Sequence, residues 1–491
     1  MNLKKPRPRG VHQRRARDIR LRAALLTFPT VAERLIPADV RRVLQGLARS
    51  GHQAFLVGGC VRDLLLGRRP ADWDVTTDAV PQRVQAVFRR TRPTGVAHGT
   101  VTVLAGRRPV EVTTFRTEGG YSDRRRPDWV DFTDRLELDL ARRDFTINAV
   151  ALDHRGRLHD PFGGLDDLAA GVVRAVGDPN ARFAEDALRM LRAVRFAAQL
   201  AFRIEEDTLA AVRRHAHLLD HVSSERIRDE FGKLLLAPEP APALEILKDT
   251  GLLGRFLPEL LEGVDVAQNV HHAFTVWKHN VLACQHAPPV LTLRLAALLH
   301  DVAKPRCLGI DEAGGRHFYH HEVIGAQMAD AVLRRLRFDN ATREKVVHLI
   351  RHHLALHHYP DMSDAAVRRL IRRIGLEHLD DLIALRIADR RASGTKRSDL
   401  SRGTRLLLRR IEQVLAEDAA FGLKDLKVNG HDVMRVLGVP PGRIVGRILN
   451  ALLEEVLEDP TLNEPETLER LIREKARELP GQTGIGPGSP A

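Results

Sequence analysis

Three acidic residues near the front of the chain have the types and spacing that phosphate chemistry needs. Asp72 and Asp74 alternate in ADWDVTT, and Glu111 stands in PVEVTTF. Alternation on a strand turns both aspartates to one face, roughly 6–7 Å apart along the chain. Facing phosphates, such a pair can hold two Mg²⁺ ions about 4 Å apart, one activating a 3′-hydroxyl and the other stabilising a leaving pyrophosphate. Glu111 would be a third ligand, from a neighbouring strand. Two solvated loop aspartates and an outward-facing strand glutamate account for the same letters. Just upstream, Gly58-Gly59 precedes a segment that carries Arg62 and reads as helix. Glycines let backbone N–H groups approach a phosphate, the helix N-terminus adds its dipole, and Arg62 adds a fixed charge. An ordinary tight turn also explains the glycine pair.

A second pair could recognise bases. In EDALRMLRAVRF, over 185–196, Asp186 and Arg189 stand at i, i+3, which makes them neighbours on one helical face. A carboxylate only accepts hydrogen bonds and a guanidinium only donates them. Cytosine and adenine both present an exocyclic amine beside an unprotonated ring nitrogen, an edge that needs one acceptor and one donor. Guanine and uracil present the reverse. Two side chains can therefore select C and A without a nucleic-acid template. A surface i, i+3 ion pair worth about 0.3 kcal/mol fits the same spacing.

These residues need elements to position them. Residues 55–57, 73–76, 100–104 and 109–115 read as short strands, and 61–66 and 81–88 as helices, giving an α/β head. After DPFGG at 160–164 the strand signals fade, and 184–200 reads as one amphipathic helix. PEPAP at 238–242 is a breaker between helices. Of the 23 histidines, 13 lie between His271 and His358. Residues 396–480 form another helical region. The chain of 491 residues is long enough for three or four domains. We expect a basic tail over 1–30, a head over 31–165, a helical neck over 166–268, a histidine-rich domain over 269–395, a helical region over 396–480 and a disordered tail over 481–491.

The net charge of +13 points to a polyanionic partner, and residues 1–22 hold nine Lys or Arg against one acid, Asp18. That segment fits a solvated tail and equally an arm adding phosphate contacts. No run of eighteen apolar residues and no apolar leader occur, so a soluble cytoplasmic protein without a membrane partner is expected. Cys60, Cys284 and Cys307 show no paired spacing, which suits a reducing compartment.

The segment LVGGCVRDLLLG followed by Asp-x-Asp resembles the core of class II tRNA nucleotidyltransferases and bacterial poly(A) polymerases. The likeness continues, in the family's order, through LARRDFTINA (140–149), DPFGGLDDL (160–168), EDALRMLRAVRF and SSERIRDEFGKLLL (223–236). It implies an α+β fold, with an α/β head followed by all-α neck, metal-binding and C-terminal regions. It implies Mg²⁺ in the head, CTP and ATP as substrates and tRNA as partner, with C and A added to the tRNA 3′ end. It further implies that Asp186 and Arg189 read the base, that Arg143 contacts the nucleotide, and that Arg192 and Arg195 lie near it. Steps of three drift about 60° each on a helix, so Arg195 should stand far around from Asp186. Asp144 and Asn148 would hold the local backbone or brace the site. The segment between Glu111 and Arg142, with its Gly-Gly and run of arginines, reads as a mobile loop, similar to the family's element for switching from CTP to ATP. An adenosine-only enzyme, a poly(A) polymerase and a degenerate tRNA-binding protein are the alternatives.

The histidine-rich region has its own likeness. LRLAALLHDVAKP carries His300-Asp301, with His279 upstream in WKHN and Asp389 downstream in RIADRR. This order resembles the HD metal-dependent phosphohydrolase superfamily. His321, and either His352 or His353, sit where further ligands often occur there. Imidazole with carboxylate suits Mn²⁺, Ni²⁺, Fe or Zn²⁺. Hydrolysis of phosphomonoesters or 2′,3′-cyclic phosphates would follow, while a helical spacer with surface and core histidines is the plain alternative.

Overall fold

The computed structural model describes residues 18–19, 22, 34–106, 108–120, 129–269, 272–357, 362–395, 399–416 and 422–478. Apart from Asp18, Ile19 and Arg22, the tail expected over 1–30 lies outside them, as does the one over 481–491. The chain forms two compact units. One comprises Met1–Val264, Pro289–Leu291 and Ala331–Arg343; the other comprises Asp265–Pro288, Thr292–Asp330 and Glu344–Ala491.

The first unit opens on a mixed sheet. Its strands are β1 (Ala54–Val57), β2 (Asp74–Thr77), β3 (Thr91–Gly95), β4 (Thr100–Val103), β5 (Val110–Thr114), β8 (Ala151–Asp153) and β9 (Leu158–His159), in the order β3-β4-β5-β2-β1-β8-β9. Between β5 and β8 run β6 (Arg116–Gly119) and β7 (Trp129–Phe132), paired antiparallel as a separate ribbon. Sequence order explains the burial. AFLV in β1 is apolar throughout and buried throughout, whereas VEVTT in β5 alternates and buries Val110, Val112 and Thr114. Phe55, Phe115, Leu136 and Leu140 share the core beside the sheet.

Three expectations change here. The segment between Glu111 and Arg142 is not one irregular loop, because β6 and β7 exchange ladder bonds from Arg116↔Phe132 to Gly119↔Trp129; residues 121–128 lie outside the described ones. Strands do not end with the head either. Val172–Val173 and Arg203–Ile204 pair in parallel as two short strands. The helix expected over 184–200 is two helices. With α1 as Gly59–Leu65 and α2 as Leu136–Ala141, these are α3 (Pro179–Glu185) and α4 (Leu188–Leu200), and Asp186 between them is extended at φ −142°, ψ 102°. Its carboxylate accepts the N–H of Leu188 at 3.1 Å, the local side-chain bond by which Asp competes with helix. Asp186 and Arg189 therefore do not share a helical face.

A run of buried polar contacts braces α4 against the head. Arg62 on α1 donates to Asn148 Oδ1 at 2.9 Å, Asn148 Nδ2 donates to Asp144 Oδ1 at 3.0 Å, and Arg192 on α4 donates to Asp144 Oδ2 at 2.6 Å. Asp144 and Asn148 thus link α1 to α4. Farther along, Arg195 donates to the buried Glu230 at 2.5 Å, tying α4 to α5 (Ser224–Leu235).

In the second unit, α6 (Val276–His286) packs against α10 (Leu379–Ala392). The helices α7 (Leu291–Leu299), α8 (His321–Arg335) and α9 (Asn340–His352) come between them in sequence. A two-strand hairpin, β12 (Gly309–Ile310) with β13 (Arg316–His317), interrupts the helices; the pair Val172–Val173 and Arg203–Ile204 are β10 and β11. Near the end, α11 (Gly430–Leu437), α12 (Arg443–Glu458) and α13 (Pro465–Glu478) close over Val433, Ile448, Leu452, Val456 and Leu468. Among the described residues, no helix is long and apolar enough to cross a membrane.

The brace generates a stability prediction. Burial opposes charge on Asp144, but Arg192 and Asn148 outweigh it and bring the carboxyl from 3.8 down to about 2. A difference of that size is worth roughly 2 kcal/mol. Because the folded pKa is depressed, this contribution is complete above about pH 4 and is lost as pH falls toward 2. Asp144→Asn should lower the thermal midpoint at pH 7 by several degrees and flatten its fall between pH 4 and 2. An unchanged midpoint and acid profile would show the pair to be neutral.

Candidate active site and metal centre

In the head, β2 begins at Asp74, and Asp72 lies in the bend just before it, exposed. The buried Trp73 between them keeps both aspartates on the open side, although only Asp74 belongs to the strand. Parallel pairing of β2 with β5 sets Asp74 directly beside Glu111. Gly58 caps α1 at φ 78°, ψ −137°, a region that side chains with Cβ avoid. A Cβ there would stand 3.2 Å from Arg143 Nη1 and 3.9 Å from Asp74 Oδ2. Gly58, Asp74, Glu111 and Arg143 therefore converge, with Asp72 at the margin. Burial pushes the Asp74 carboxyl up, Glu111 and Asp72 push the same way, and Arg143 opposes them.

Arg143 is aimed by a residue the sequence reading passed over. Asp139, fully buried on α2, accepts from Thr76 Oγ1 at 3.0 Å and from Arg142 Nη2 at 2.7 Å, and lies 3.4 Å from Arg143 Nη2. Burial disfavours its charge, but Arg142 and Arg143 hold it below the usual carboxylate range. The signal was present in LELDLARRD, where Asp139 precedes arginines at i+3 and i+4. Gly59 opens α1, and Arg62 on the same helix is bound to Asp63 and Asn148 with Phe196 5.0 Å from its guanidinium.

The neck residues have different partners from those expected. Asp186 Oδ2 accepts from Arg226 at 2.8 Å. Arg189 donates to Glu185 at 2.6 Å and to the Arg142 carbonyl at 3.2 Å. Arg192 and Arg195 are the braces to Asp144 and Glu230, because each meets a buried carboxylate on another segment.

The second unit gathers His279, His300, Asp301, His321, His353 and Asp389, all buried. They form two groups with ligand atoms within reach of a common ion: His279, His300 and Asp389, and Asp301, His321 and His353. Asp301 Oδ2 lies 3.3 Å from His300 Nε2 and 3.4 Å from His279 Nε2, while its Oδ1 lies 3.3 Å from His321 Nε2. His353, not His352, completes the set; His352 instead packs 4.5 Å from His348. The rings are oriented from behind. Nδ1 of His300, His321 and His353 donates to the carbonyls of Ala297, Phe318 and Ile350 at 2.9, 2.6 and 2.7 Å. A carbonyl can only accept, so Nδ1–H of each ring is spent there and Nε2 is the atom turned inward. Nε2 of His321 and of His353 are 3.3 Å apart, and two such nitrogens at that distance need a shared cation or proton. This donor set fits a transition metal. Lys304, missed in the sequence, donates to Asp301 Oδ2 at 2.5 Å and to Gln268 at 2.7 Å.

Residues 54–174 match the "Poly A polymerase head domain", 201–263 the "Probable RNA and SrmB- binding site of polymerase A", and 319–472 the "tRNA nucleotidyltransferase domain 2 putative". The CCA-adding enzyme of Ligilactobacillus salivarius (strain UCC118) is 35% identical over 447 residues, 90% of this chain and 98% of that protein. The chain belongs to the CCA-adding enzyme family. A shorter match, 53% identical over 210 residues, spans 43% of this chain and about half, 53%, of the Lactobacillus helveticus (strain DPC 4571) CCA-adding enzyme. Among solved structures, the Bacillus stearothermophilus CCA-adding enzyme in complex with CTP superposes with a TM-score of 0.68 at 31% identity, covering 90% of this chain and 97% of that one. An α+β head followed by helices is thus the fold of this family as well as of this chain.

Gly58→Ala should strain the turn by about 1–3 kcal/mol and displace Arg143 from Asp74. In a CCA-adding enzyme built this way, nucleotide incorporation should fall by more than about tenfold, with the thermal midpoint lowered by only a few degrees so that the folded enzyme can be assayed. Full incorporation by Gly58→Ala would mean that the turn does not position the cluster.

Proposed function

We propose that this chain adds C and A from CTP and ATP to the 3′ end of tRNA without a template, releasing pyrophosphate at each step. The observation that carries the reading is the Asp74–Glu111 register, with Asp72, Gly58 and Arg143 around it. Oxygen donors from Asp74 and Glu111, with Asp72 at the margin and one guanidinium beside them, fit a hard cation such as Mg²⁺. Asp72, Asp74 and Glu111 would hold two such ions, which would supply the charge that activates the 3′-hydroxyl and stabilises pyrophosphate. Backbone N–H groups at Gly58 and Gly59 approach the triphosphate, with Arg62 close behind, and Arg143 orients it. Asp186 and Arg189 offer the acceptor and donor that cytosine and adenine need, exchanging Arg226 and Glu185 for the base edge. The β6–β7 ribbon and the residues joining it adapt the pocket from CTP to ATP. In domain terms, the head over 31–165 is catalytic, the neck over 166–268 selects nucleotide, and 396–480 contacts tRNA, in a cytoplasmic enzyme. That the related Bacillus stearothermophilus enzyme binds CTP favours this reading.

The test supplies tRNA ending before CCA, after CC, or complete, with each nucleotide separately. Asp74→Ala should lower incorporation by more than about a hundredfold with the fold intact. Asp186→Ala should slow both C and A and admit UTP and GTP. Unchanged preference would reduce Asp186 to an ion-pair partner. A wild-type chain that adds only A, extends a long A tail, or binds without incorporating would select the A-adding, poly(A) or binding-only alternative.

The six inward donors favour a second activity over 269–395, an HD-type phosphohydrolase. His279, His300, Asp301, His321, His353 and Asp389 would hold Mn²⁺, Ni²⁺, Fe or Zn²⁺. A metal held there would supply the charge that acidifies a water; the water's oxygen would bond to phosphorus as one P–O ester bond breaks, and the ester oxygen would take a proton as a free or ring-opened alcohol. Phosphomonoesters or 2′,3′-cyclic phosphates are the expected substrates. His300→Ala with Asp301→Ala should abolish metal binding and hydrolysis and spare nucleotide addition. Hydrolysis that survives the double substitution would reject the assignment.

A further inference from the structure

Over five of the six donors, all but His279, the second unit holds a cavity of about 920 Å³. A phosphate group alone fills a small part of such a space, which matches the roughly 300–1,000 Å³ of pockets that enclose drug-sized ligands. Its walls differ in kind. Lys304, Arg316, Arg386 and Arg390 line it with cationic side chains, and His317 and Tyr319 line it with aromatic rings. Those two rings stack with centroids 4.4 Å apart and 28° between their planes.

The stack is built by the β12–β13 hairpin. Asp311 Oδ1 accepts the N–H groups of Ala313 and Gly315, at 3.0 and 2.6 Å, and closes the turn. Across the hairpin, a Cβ at Gly309 would run into the His317 ring, so glycine is what lets that ring lie over the backbone. Tyr319 then rests on His317 with 71% of its surface exposed. Two residues on, His321 is one of the metal donors. A supported aromatic ring is thereby held at the mouth of a cationic cavity whose floor is the Asp301 cluster.

We propose that Tyr319, seated on His317, is a specificity-determining platform on which the base of a nucleotide stacks while its phosphate reaches the Asp301-centred donors. The site then prefers nucleoside phosphates to phosphoesters lacking a base, because base–aromatic stacking is tolerant of base identity but requires a base. This rests on the phosphohydrolase reading given above. A free mononucleotide and the terminal nucleotide of an RNA share the chemistry.

Calorimetry on the full-length, Mn²⁺-loaded protein compares AMP with ribose 5-phosphate, and the His300→Ala/Asp301→Ala variant identifies the component belonging to this cavity. Tyr319→Ala should weaken that component for AMP roughly tenfold and leave ribose 5-phosphate within twofold. Tyr319→Phe should restore AMP binding. Equal affinity for the two ligands in the wild type, no effect of Tyr319→Ala, or equal loss of both ligands would overturn the platform. Tyr319-dependent binding of AMP without hydrolysis would keep the platform and reject the phosphohydrolase reading. Binding of neither ligand would reject both. A short RNA ending in a 3′-phosphate that displaces AMP would identify an RNA end as the source, and failure to displace it would identify a mononucleotide.

Discussion

Asp144 has to remain ionised inside the first unit, and much else there depends on how that is achieved. A carboxylate removed from water is costly unless charge and hydrogen bonds replace its hydration. Here Arg192 donates to one oxygen, and Asn148 and the Phe145 N–H to the other. Arg192 comes from α4 and Asn148 continues to Arg62 on α1, so satisfying one charge fixes the helix after the glycine turn against the helix after Asp186. Asp72 and Asp74 stand more than a hundred positions before Asp186 and Arg189. A brace with directional bonds holds them in register where an apolar contact would let them slide.

The same device recurs at Asp139. Its partners are Thr76 on the strand that begins with Asp74, and Arg142 and Arg143 in the next turn of chain. One buried carboxylate therefore ties the strand bearing Asp74 to the arginine that offsets its charge. Arg195 with Glu230 repeats the pattern between α4 and α5. Arginine suits all three places because its planar fork donates in several fixed directions at once.

Local letters made parts of this legible. Alternation in VEVTT and the unbroken apolar run in AFLV gave their strands, and Gly-Gly before Arg62 gave the turn. What stayed hidden depended on partners distant in sequence. EDALRML has a helical pattern throughout, yet Asp186 caps the backbone two residues ahead and pairs with Arg226, forty residues away. Arg192 and Arg195 look like further members of a nucleotide-facing row until the buried carboxylates of Asp144 and Glu230 appear opposite them. The ribbon of β6 and β7 was hidden by its glycines and arginines, because its ladder needs only backbone groups. The histidines that share the second unit's interior could be picked out by identity and order, while the choice of His353 over His352 needed the turn that follows α9.

In the second unit, geometry says more than residue identity. A histidine in a helical interior ordinarily needs one partner, and a backbone carbonyl would satisfy it. Three of the four rings have that partner and still direct Nε2 into a common space with Asp301 and Asp389. Burial opposes charge on Asp301, but His300 and Lys304 beside it keep the carboxyl well below its usual range, and His279 and His357 do the same for Asp389. The result is an interior with fixed anionic oxygens and aimed imidazole nitrogens, none of which contributes to an apolar core. Packing alone would replace such a cluster with leucines at little loss of volume and a gain in stability. Side chains placed this way among α6, α7, α8 and α10 hold ligand atoms within reach of one another, which packing of a helical spacer does not call for.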